Sequence, residues 1–259
     1  MKTAIATSAV VANCILASSL MADYTAEVSL GYENLDANFT GEDLYIGGLT
    51  YYTSPLSYMG KTPYDEAAFF NRVGQVDLFY GRATGFGDDF NNVGLAYAYR
   101  SSEDANGYSA SWMHSDLASD VNQYEVGYYR YLAQGFRVGA DVSLLDYGNS
   151  ELWSYGLNSK RLFIFENDRW LSLDGGIGWA DNGGDSDWSL NALATYYPNA
   201  RTGLGIGAAT TDRFDDYDTQ VSMTRYVREN LALNVSYNRS FIRDNSDGDG
   251  ISFGGKFRF

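Results

Sequence analysis

The sequence predicts an all-β chain that closes into an antiparallel, up-and-down transmembrane β-barrel of about 14 strands, within a range of about 12–16. Three features predict this class: an apolar segment at the start, regular alternation along many segments, and two kinds of connection that take turns along the chain. Because side chains alternate between the two faces of a strand, one parity meets hydrocarbon and the other encloses a wet interior. Closing the sheet also removes its edges, which would otherwise aggregate.

The first segment predicts export. Lys2 gives a positive start, residues 4–20 are mostly apolar and small, and Ala22 offers a small residue for cleavage. This arrangement is typical of a secretory signal peptide over residues 1–22. The apolar run is interrupted by polar residues and is short for a spanning helix, which needs about 20 apolar residues. Residues 23–259 then form the barrel.

Composition narrows the classes of function. The chain has 33 acidic and 18 basic residues, so its formal net charge of −15 argues against a nucleic-acid partner. Cys14, the single cysteine, lies in the export segment, so the mature barrel lacks thiols for structural zinc or catalysis. The 22 tyrosines suit strands whose rings touch lipid while their hydroxyls reach the headgroups. Nine aromatic residues lie mostly near predicted strand ends, and we interpret them as interface girdles rather than as aromatic slides for carbohydrate inside a pore: Tyr51, Tyr52, Tyr128, Trp153, Trp170, Trp179, Trp188, Tyr196 and Tyr237. No cofactor and no metal site is predicted.

Alternation locates the strands in order along the chain. It is clearest where Phe136, Val138 and Ala140 oppose Arg137 and Asp141. The same reasoning gives an even number of strands, as single-chain bacterial barrels have. The predicted strands are 23–34, 42–53, 73–84, 91–101, 107–116, 121–132, 135–146, 151–165, 168–180, 187–197, 201–212, 217–228, 231–243 and 250–259.

Residues 54–72 interrupt this pattern. They contain Pro55 and Pro63, and a proline cannot donate a hydrogen bond to a β-ladder. Pro63 followed by Asp65 and Glu66 predicts the start of one short helix. We expect an irregular segment that lies on the periplasmic side of the barrel or inside its lumen.

Two kinds of connection alternate beyond residue 73. Short turns are predicted around 133–134, 167, 198–200 and 229–230. Acidic connections alternate with them at 87–90, 116–120, 181–187, 212–218 and 244–250. Bacterial barrels have short periplasmic turns and longer external loops, so both termini are expected in the periplasm and the acidic loops outside. We interpret the acidic loops as solvated turns rather than Ca²⁺ sites, with loose divalent bridging to lipopolysaccharide phosphates as an intermediate option.

The last strand carries the resemblance. Ile251, Phe253, Phe257 and Phe259 fall on one parity, opposite Lys256 and Arg258. Together with the export segment and the alternating strands, this end resembles the outer-membrane β-barrel proteins of Gram-negative bacteria. Residues 63–72 are similar to a segment of the general porin family of proteobacteria. The chain departs from large trimeric porins because it is shorter and lacks a long third loop.

The resemblance implies a location, partners and an assembly signal. The barrel would lie in the outer membrane, in contact with lipid and lipopolysaccharide, and would act as a monomer. The barrel-assembly machinery would recognise the last strand through Phe253, Phe257 and Phe259.

The inward parity predicts the residues that set selectivity. These are Glu27, Asp77, Glu125, Arg137, Asp141, Lys160, Asp174, Arg201, Lys256 and Arg258. They could neutralise one another in a self-plugged lumen, or they could line a wet pore. A pore is favoured because about 14 strands enclose more space than side chains fill, and eight strands is the filled case. The predicted function is a passive, mildly cation-preferring diffusion channel for small hydrophilic solutes.

Two alternatives remain at this point. One is a structural or adhesion barrel with a closed lumen that acts through its acidic loops. The other is an enzyme built around His114, the single histidine, with Ser111, Ser115 and Asp116 nearby. We predict no enzyme, because Ser115 and Asp116 cannot both share the face of His114 on a strand.

Overall fold

The computed structural model describes residues 23–36, 42–57, 62–84, 89–116, 120–148, 150–181, 186–211, 216–241 and 248–259. The predicted signal peptide, residues 1–22, lies outside these ranges. The described chain forms one closed antiparallel barrel. Its fourteen strands are β1 Asp23–Asp36, β2 Glu42–Ser57, β3 Gln75–Thr84, β4 Phe90–Tyr99, β5 Asn106–Ser115, β6 Val121–Ala133, β7 Phe136–Asp146, β8 Glu151–Phe165, β9 Arg169–Asp181, β10 Ser186–Asn199, β11 Thr202–Thr211, β12 Asp216–Arg228, β13 Leu231–Phe241 and β14 Gly248–Arg258.

Every strand pairs with its neighbours in sequence, and β1 pairs with β14 to close the ring. This closing seam runs from Glu27 opposite Arg258 to Asp36 opposite Asp249. The main-chain carbonyl of Phe259 accepts hydrogen bonds from the amides of Thr25 and Ala26, each at 3.0 Å. The predicted closed up-and-down barrel of 14 strands is therefore confirmed.

The two ends of the barrel differ, as the alternating connections predicted. One end, called the turn end here, holds residues 23 and 259 and the short turns at 134–135, 166–168, 200–201 and 229–230. Gly135 has φ +70°, a conformation that favours glycine in such a turn. The acid-rich connections all join strands at the opposite end, called the loop end. The predicted alternation of turns and acidic connections is confirmed.

The outer face is apolar. Aliphatic side chains are exposed along the strands, among them Leu78, Val126, Leu157, Ile177 and Ile206. Aromatic side chains are exposed mostly nearer the strand ends: Tyr51, Tyr97, Tyr108, Tyr128, Trp153, Trp179, Tyr196, Tyr217 and Tyr237. An aliphatic band flanked by aromatic girdles matches the layers of a bilayer.

Two residues that sequence grouped with the girdle face the interior instead. Tyr52 is 5% exposed and Trp170 is 1% exposed. Trp170 shares the inward parity of Ser172 and Asp174, and both aromatic rings pack beneath residues 62–74. The girdle interpretation is wrong for these two side chains.

The structure also corrects the end of β2, which continues to Ser57 rather than stopping at residue 53. The ladder between β2 and β3 ends where Tyr52 faces Gln75, while pairing with β1 continues to Ser57. Pro55 therefore lies beyond the last residue of β2 that pairs with β3. Proline has no amide hydrogen to donate, and such an unpaired edge position tolerates it. The irregular segment begins after this extension.

The helical part of the described chain is small. A 3-10 turn spans Tyr64–Glu66, and the four-residue helix α1 spans Ala67–Phe70. The predicted short helix opened by Pro63 is confirmed. Within the described ranges, no helix is both long and apolar enough to cross a bilayer.

Candidate functional site

Residues 62–74, called the plug here, occupy the turn end of the lumen. Nine of these thirteen residues are buried, including Thr62, Pro63 and Ala67. Ala67 packs with Tyr52 and Leu56 on one side. Phe69 and Phe70 pack with the aromatic side chains of β6, β9 and β10 on the other. The plug is thus part of the barrel interior and not an external loop.

Asp65 binds one wall of the barrel. Its carboxylate lies 3.0 Å from Lys256 Nζ of β14 and accepts a hydrogen bond of 2.9 Å from the Tyr226 hydroxyl of β12. The Tyr64 ring packs edge-on against the Tyr226 ring, with centroids 5.1 Å apart. Arg258 donates a hydrogen bond of 3.0 Å to the Tyr64 carbonyl. The plug is therefore fixed to the strands next to the closing seam.

A wall carboxylate completes this cluster. Glu27 of β1 forms an ion pair with Arg258 across the seam, and Lys256 Nζ lies 4.0 Å from the same carboxylate. Tyr52 donates a longer hydrogen bond of 3.4 Å to Glu27. Two cations thus meet two carboxylates, Glu27 and Asp65, so this part of the lumen is neutral.

Glu66 binds the facing wall. Its carboxylate lies 3.0 Å from Lys160 Nζ of β8 and accepts a hydrogen bond of 3.1 Å from the Tyr197 hydroxyl of β10. Lys160 also pairs with Asp174 of β9 at 3.1 Å. This lysine is therefore held between one carboxylate of the plug and one of the wall.

The two attachments span the barrel. β8 and β14 are separated by six steps in a ring of fourteen strands, so they lie almost opposite each other. Consecutive residues of the plug, Asp65 and Glu66, thus bind lysines from facing walls. The plug acts as a crossbar at the turn end of the lumen.

The wall formed by β3, β6 and β7 has a different lining, called the acidic chamber here and defined by Asp77, Glu125 and Asp141. Asp77 lies near the turn end of β3, and the other two lie farther from that end on β6 and β7. Asp77 accepts hydrogen bonds from Thr50 at 2.6 Å and Gln75 at 2.8 Å. Asp141 accepts one from Asn158 at 2.7 Å. Among the described residues, none of the three carboxylates forms an ion pair with lysine or arginine.

Glu125 and Asp141 lie on neighbouring strands, close enough for their charges to act on each other. Gly156 makes room for Asp141, because a Cβ at this glycine would lie 2.3 Å from the carboxylate. Two negative charges therefore face the lumen side by side.

Of the ten residues predicted to line a pore, nine face the lumen and fall into two groups. Glu27, Arg137, Lys160, Asp174, Lys256 and Arg258 surround the plug, whereas Asp77, Glu125 and Asp141 line the chamber. Arg201 lies elsewhere, in the turn between β10 and β11, where its exposed guanidinium pairs with Glu229 at 3.3 Å. Their effect on selectivity stays a prediction.

Sequence reasoning missed four residues that hold the plug: Asp65 and Glu66 as ion-pair partners, and Tyr197 and Tyr226 as hydrogen-bond donors. Asp65 and Glu66 could have been found from sequence, because they are adjacent acids in the irregular segment that contains Pro55 and Pro63. The tyrosines had no such signal, because a tyrosine near a strand end also suits a girdle.

His114 is not part of an assembled catalytic group. Its register partner is the exposed Val93, its ring stacks on Trp112, and its Nδ1 lies 3.2 Å from the Asn122 amide oxygen. Ser115 has the opposite parity. Hydrogen bonds from Asn91 lower the pKa of the Asp116 carboxyl and engage both of its oxygens.

Two other features carry no site within the described residues. Of the candidate calcium ligands in the acidic loops, those at 182–185 and 247 lie outside the described residues, and the described Asp249 accepts a hydrogen bond of 3.2 Å from the Tyr237 hydroxyl. A hollow of about 720 Å³ along β9–β13 is lined by both faces of the wall, for example Gln220 from inside and Ile206 from outside. It follows the wall and does not enclose a ligand cavity.

The residues of the predicted assembly signal lie on the outward parity of β14 and just beyond it. Phe253 and Phe259 are about half exposed, and Phe257 is buried and stacks on Phe259 with centroids 6.3 Å apart. Their role in assembly stays a prediction.

Comparison with known proteins identifies the fold. No family model matches the chain, and no curated protein matches it. The outer-membrane protein Omp33 of Acinetobacter baumannii is similar in structure, with a TM-score of 0.69 and 17% identity, over 92% of this chain and 99% of that one. A bacterial polysaccharide outer-membrane secretin is also similar, with a TM-score of 0.51 and 9% identity, over 91% and 99% of the chains. The chain therefore has the fold of a bacterial outer-membrane β-barrel.

Proposed function

We propose that this protein is an outer-membrane porin, a passive channel for small hydrophilic solutes with a mild preference for cations. Residues 1–22 would be removed as a signal peptide during export. Residues 23–259 would then lie in the outer membrane of a Gram-negative cell, with the turn end in the periplasm. The apolar outer face with its aromatic girdles supports this placement.

The observation that carries this proposal is the acidic chamber. A lumen that served only as a packed core would neutralise its buried charges, as Lys160 and Lys256 do for Glu66 and Asp65, because unpaired buried charge is costly. Asp77, Glu125 and Asp141 instead have neutral hydrogen-bond donors or none. Carboxylates in this state require water around them, and a water-filled lumen is what a diffusion channel provides.

The same charges support cation preference. A cation about 10 Å from a carboxylate in water is stabilised by about 0.4 kcal/mol, which roughly doubles its local concentration. Three carboxylates act together, and the acidic connections at the loop end add to the field at that mouth. Anions would be depleted by the same amount.

The plug limits the size of what passes. Any path through the turn end must run between the plug and the wall, so the proposed channel has a small unitary conductance. Its solutes would be inorganic ions and small polar molecules rather than oligosaccharides.

A second candidate is a structural or adhesion barrel with a closed lumen, which acts through its acidic extracellular loops. The plug favours it, because Asp65 and Glu66 bind facing walls and aromatic packing fills the space around them. This candidate predicts no solute flux and a binding partner for the loops.

Planar-bilayer recording of the purified, folded protein separates the two. The channel gives discrete current steps and, in a KCl gradient, a reversal potential of the sign that cation selectivity produces. Liposome swelling with sugars of graded size then sets the solute limit. Folded protein that inserts into bilayers and yields neither steps nor swelling would establish the closed barrel.

The proposed partners are outer-membrane lipid, lipopolysaccharide and the barrel-assembly machinery, with the protein acting as a monomer. Phe253, Phe257 and Phe259 would form the assembly signal. A triple alanine variant should accumulate unfolded in the periplasm of the producing cell, whereas substitution of the exposed Leu78 by alanine should not.

A further inference from the structure

A third side of the plug faces a cluster of arginines and tyrosines. This cluster is separate from the ion pairs that Asp65 and Glu66 form with Lys256 and Lys160. Arg72 of the plug lies over the Tyr131 ring of β6, with its Cζ 4.5 Å from the centroid. Arg137 of β7 faces Tyr131 in register and lies 4.9 Å over the Tyr129 ring. Arg100, just past β4, lies within electrostatic reach of Tyr131 together with the other two arginines. We call Arg72, Arg100, Arg137 and Tyr131 the arginine niche.

The niche has three positive charges, and the acceptors that its arginines contact are neutral. Arg72 donates to the main-chain carbonyl of Asp104 at 3.3 Å. Arg100 donates to the Val73 carbonyl at 3.3 Å and to the Gln75 amide oxygen at 3.2 Å. All of these acceptors are neutral. In the described part of the chain, none of the three arginines forms an ion pair.

Two acids approach the niche without forming an ion pair with its arginines. Asp77 is linked to Arg100 only through the Gln75 amide, which donates to the Asp77 carboxylate at 2.8 Å. Asp104 directs its carboxylate to the main-chain and side-chain amides of Asn106, each at 2.9 Å. Only its main-chain carbonyl accepts from Arg72. By contrast, Lys160, Lys256 and Arg258 on the other sides of the plug each pair with at least one carboxylate.

Several polar atoms of the niche are buried without a protein hydrogen-bond partner. They are Nε of Arg100, Nε of Arg137 and the hydroxyl of Tyr131, whose side chain is 3% exposed. Buried donors of this kind are rare in folded proteins, because leaving them unpaired is costly. All of them can donate, and the two guanidinium groups also carry charge, so the fitting partner is a negatively charged acceptor.

We propose that the arginine niche binds a small oxyanion, a carboxylate or a phosphate, between the plug and β4–β7. Guanidinium groups recognise these ions in particular, since two parallel N–H donors match two oxygens of a carboxylate or phosphate. Chloride offers no such geometry. The site goes beyond the proposed channel function, and it does not depend on conduction, because binding can be measured on protein in detergent.

The test is titration calorimetry of the folded full barrel in a non-ionic detergent at low ionic strength, with sodium phosphate and sodium acetate as probes and sodium chloride as reference. Saturable binding of phosphate, acetate or both is expected, with chloride much weaker. The two oxyanions also identify the class, since phosphate alone or acetate alone would narrow the ligand to that group.

Two variants locate the binding. Arg137→Met should weaken it by roughly tenfold or more, because a hydrogen bond to a charged group is lost together with one of three charges. Tyr131→Phe keeps the ring that Arg72 covers and removes only the hydroxyl, so a smaller loss of a few-fold is expected. The matched control is Arg161→Met, since Arg161 also lies over two aromatic rings, Phe136 and Phe163, but on the outer face.

The outcomes are decisive in both directions. Loss of binding in Arg137→Met, with Arg161→Met unchanged, would establish the niche. Absence of saturable oxyanion binding to the parent protein, or equal affinity in folded Arg137→Met, would overturn it and leave water as the partner of these donors. Should Arg137→Met fail to fold by circular dichroism, Tyr131→Phe decides, and unchanged affinity in that variant would also overturn the proposal.

Discussion

The plug and the acidic chamber occupy the same lumen and are lined by the same inward parity, yet their charges are handled in opposite ways. Around the plug, Lys160 and Lys256 are each held between two carboxylates. In the chamber, Glu125 and Asp141 face the lumen with no cation beside them. The difference teaches that alternation decides only which side chains enter the lumen, and pairing decides what they do there.

The pairing follows from the solvent. Aromatic packing excludes water around Asp65 and Glu66, so each of these carboxylates has an opposite charge within hydrogen-bond distance, and the arginine niche is the exception beside the plug. The chamber carboxylates are half-buried and have no such partners among the described residues. The lumen therefore combines one region packed like a protein core with another in which acids contact only neutral groups.

The largest expected effect is on unitary conductance, after removal of the ion pairs that hold the plug. The double variant Asp65→Asn, Glu66→Gln removes both plug carboxylates and leaves Lys160 and Lys256 with one wall carboxylate each. Breaking a buried pair costs about 3–5 kcal/mol, and the lysines keep 19% and 25% exposure, so we expect the lower end of that range. A cost of about 3 kcal/mol shifts the ratio of docked to released plug roughly a hundredfold.

Single-channel recording should then show a clearly larger unitary conductance than in the parent protein. Glu166→Gln, which neutralises an exposed carboxylate in the turn between β8 and β9, is the matched control and should conduct like the parent. Equal conductance in the double variant and the parent would mean that the plug does not limit the path.

A smaller effect, on ion selectivity, is expected from substitutions in the acidic chamber. The double variant Glu125→Gln, Asp141→Asn should reduce the cation-to-anion permeability ratio by roughly twofold to fourfold, because each charge acts through water over about 10 Å. The measurement is the reversal potential in a KCl gradient, and unitary conductance should change little. Glu151→Gln, an exposed acid on the outward parity of β8, is the control.

Varying the ionic strength gives a second test of whether the chamber carboxylates set the cation preference. The Debye length falls from about 10 Å at 0.1 M salt to about 3 Å at 1 M, so the preference of the parent protein should decline over this range. If the cation-to-anion permeability ratio is the same in the double variant as in the parent protein and does not change with salt concentration, residues outside the chamber set the selectivity.

A smaller change still tests the hydrogen bonds of the plug. Tyr226→Phe keeps the buried ring and its packing against Tyr64, and removes only the bond to Asp65. Hydrogen bonds to charged groups contribute about 1.5–3 kcal/mol, so the free energy of unfolding in urea should fall by about that amount. The exposed Tyr51→Phe, measured in the same lipid vesicles, should differ little from the parent.

The smallest effect is expected at His114. Its ring lies on the outer face against Trp112, away from both the plug and the chamber. His114→Ala should leave conductance and selectivity unchanged in single-channel recordings. An esterase activity of the parent protein that disappears in His114→Ala would contradict the channel proposal.

The fold was largely predictable because alternation is a local signal. Each strand predicted beyond residue 73 overlaps an observed one, with ends that differ by no more than two residues. The end of β2 was missed because the tolerance for Pro55 depends on where β3 stops pairing, which only the assembled sheet decides. Trp170 could have been assigned inward from sequence, since it has the parity of Asp174.

The candidate site was only half predictable. Parity placed Lys160, Asp174 and Lys256 in the lumen, but it could not reveal their partners on the plug. The Tyr226–Asp65 and Tyr197–Glu66 bonds join residues 161 and 131 positions apart. Contacts over such separations depend on the height at which the segment enters the barrel, and no local pattern encodes that height.

The cluster around Glu27 carries a consequence for biogenesis. Glu27 and Arg258 are 231 positions apart and become neighbours only when the first and last strands join. Tyr226, Lys256 and Arg258, which hold Asp65 and Tyr64, all lie on β12 and β14, but the second carboxylate of the cluster arrives only with β1. On an unjoined sheet, Lys256 and Arg258 would share Asp65 alone, so joining the first and last strands completes the charge balance at the base of the barrel.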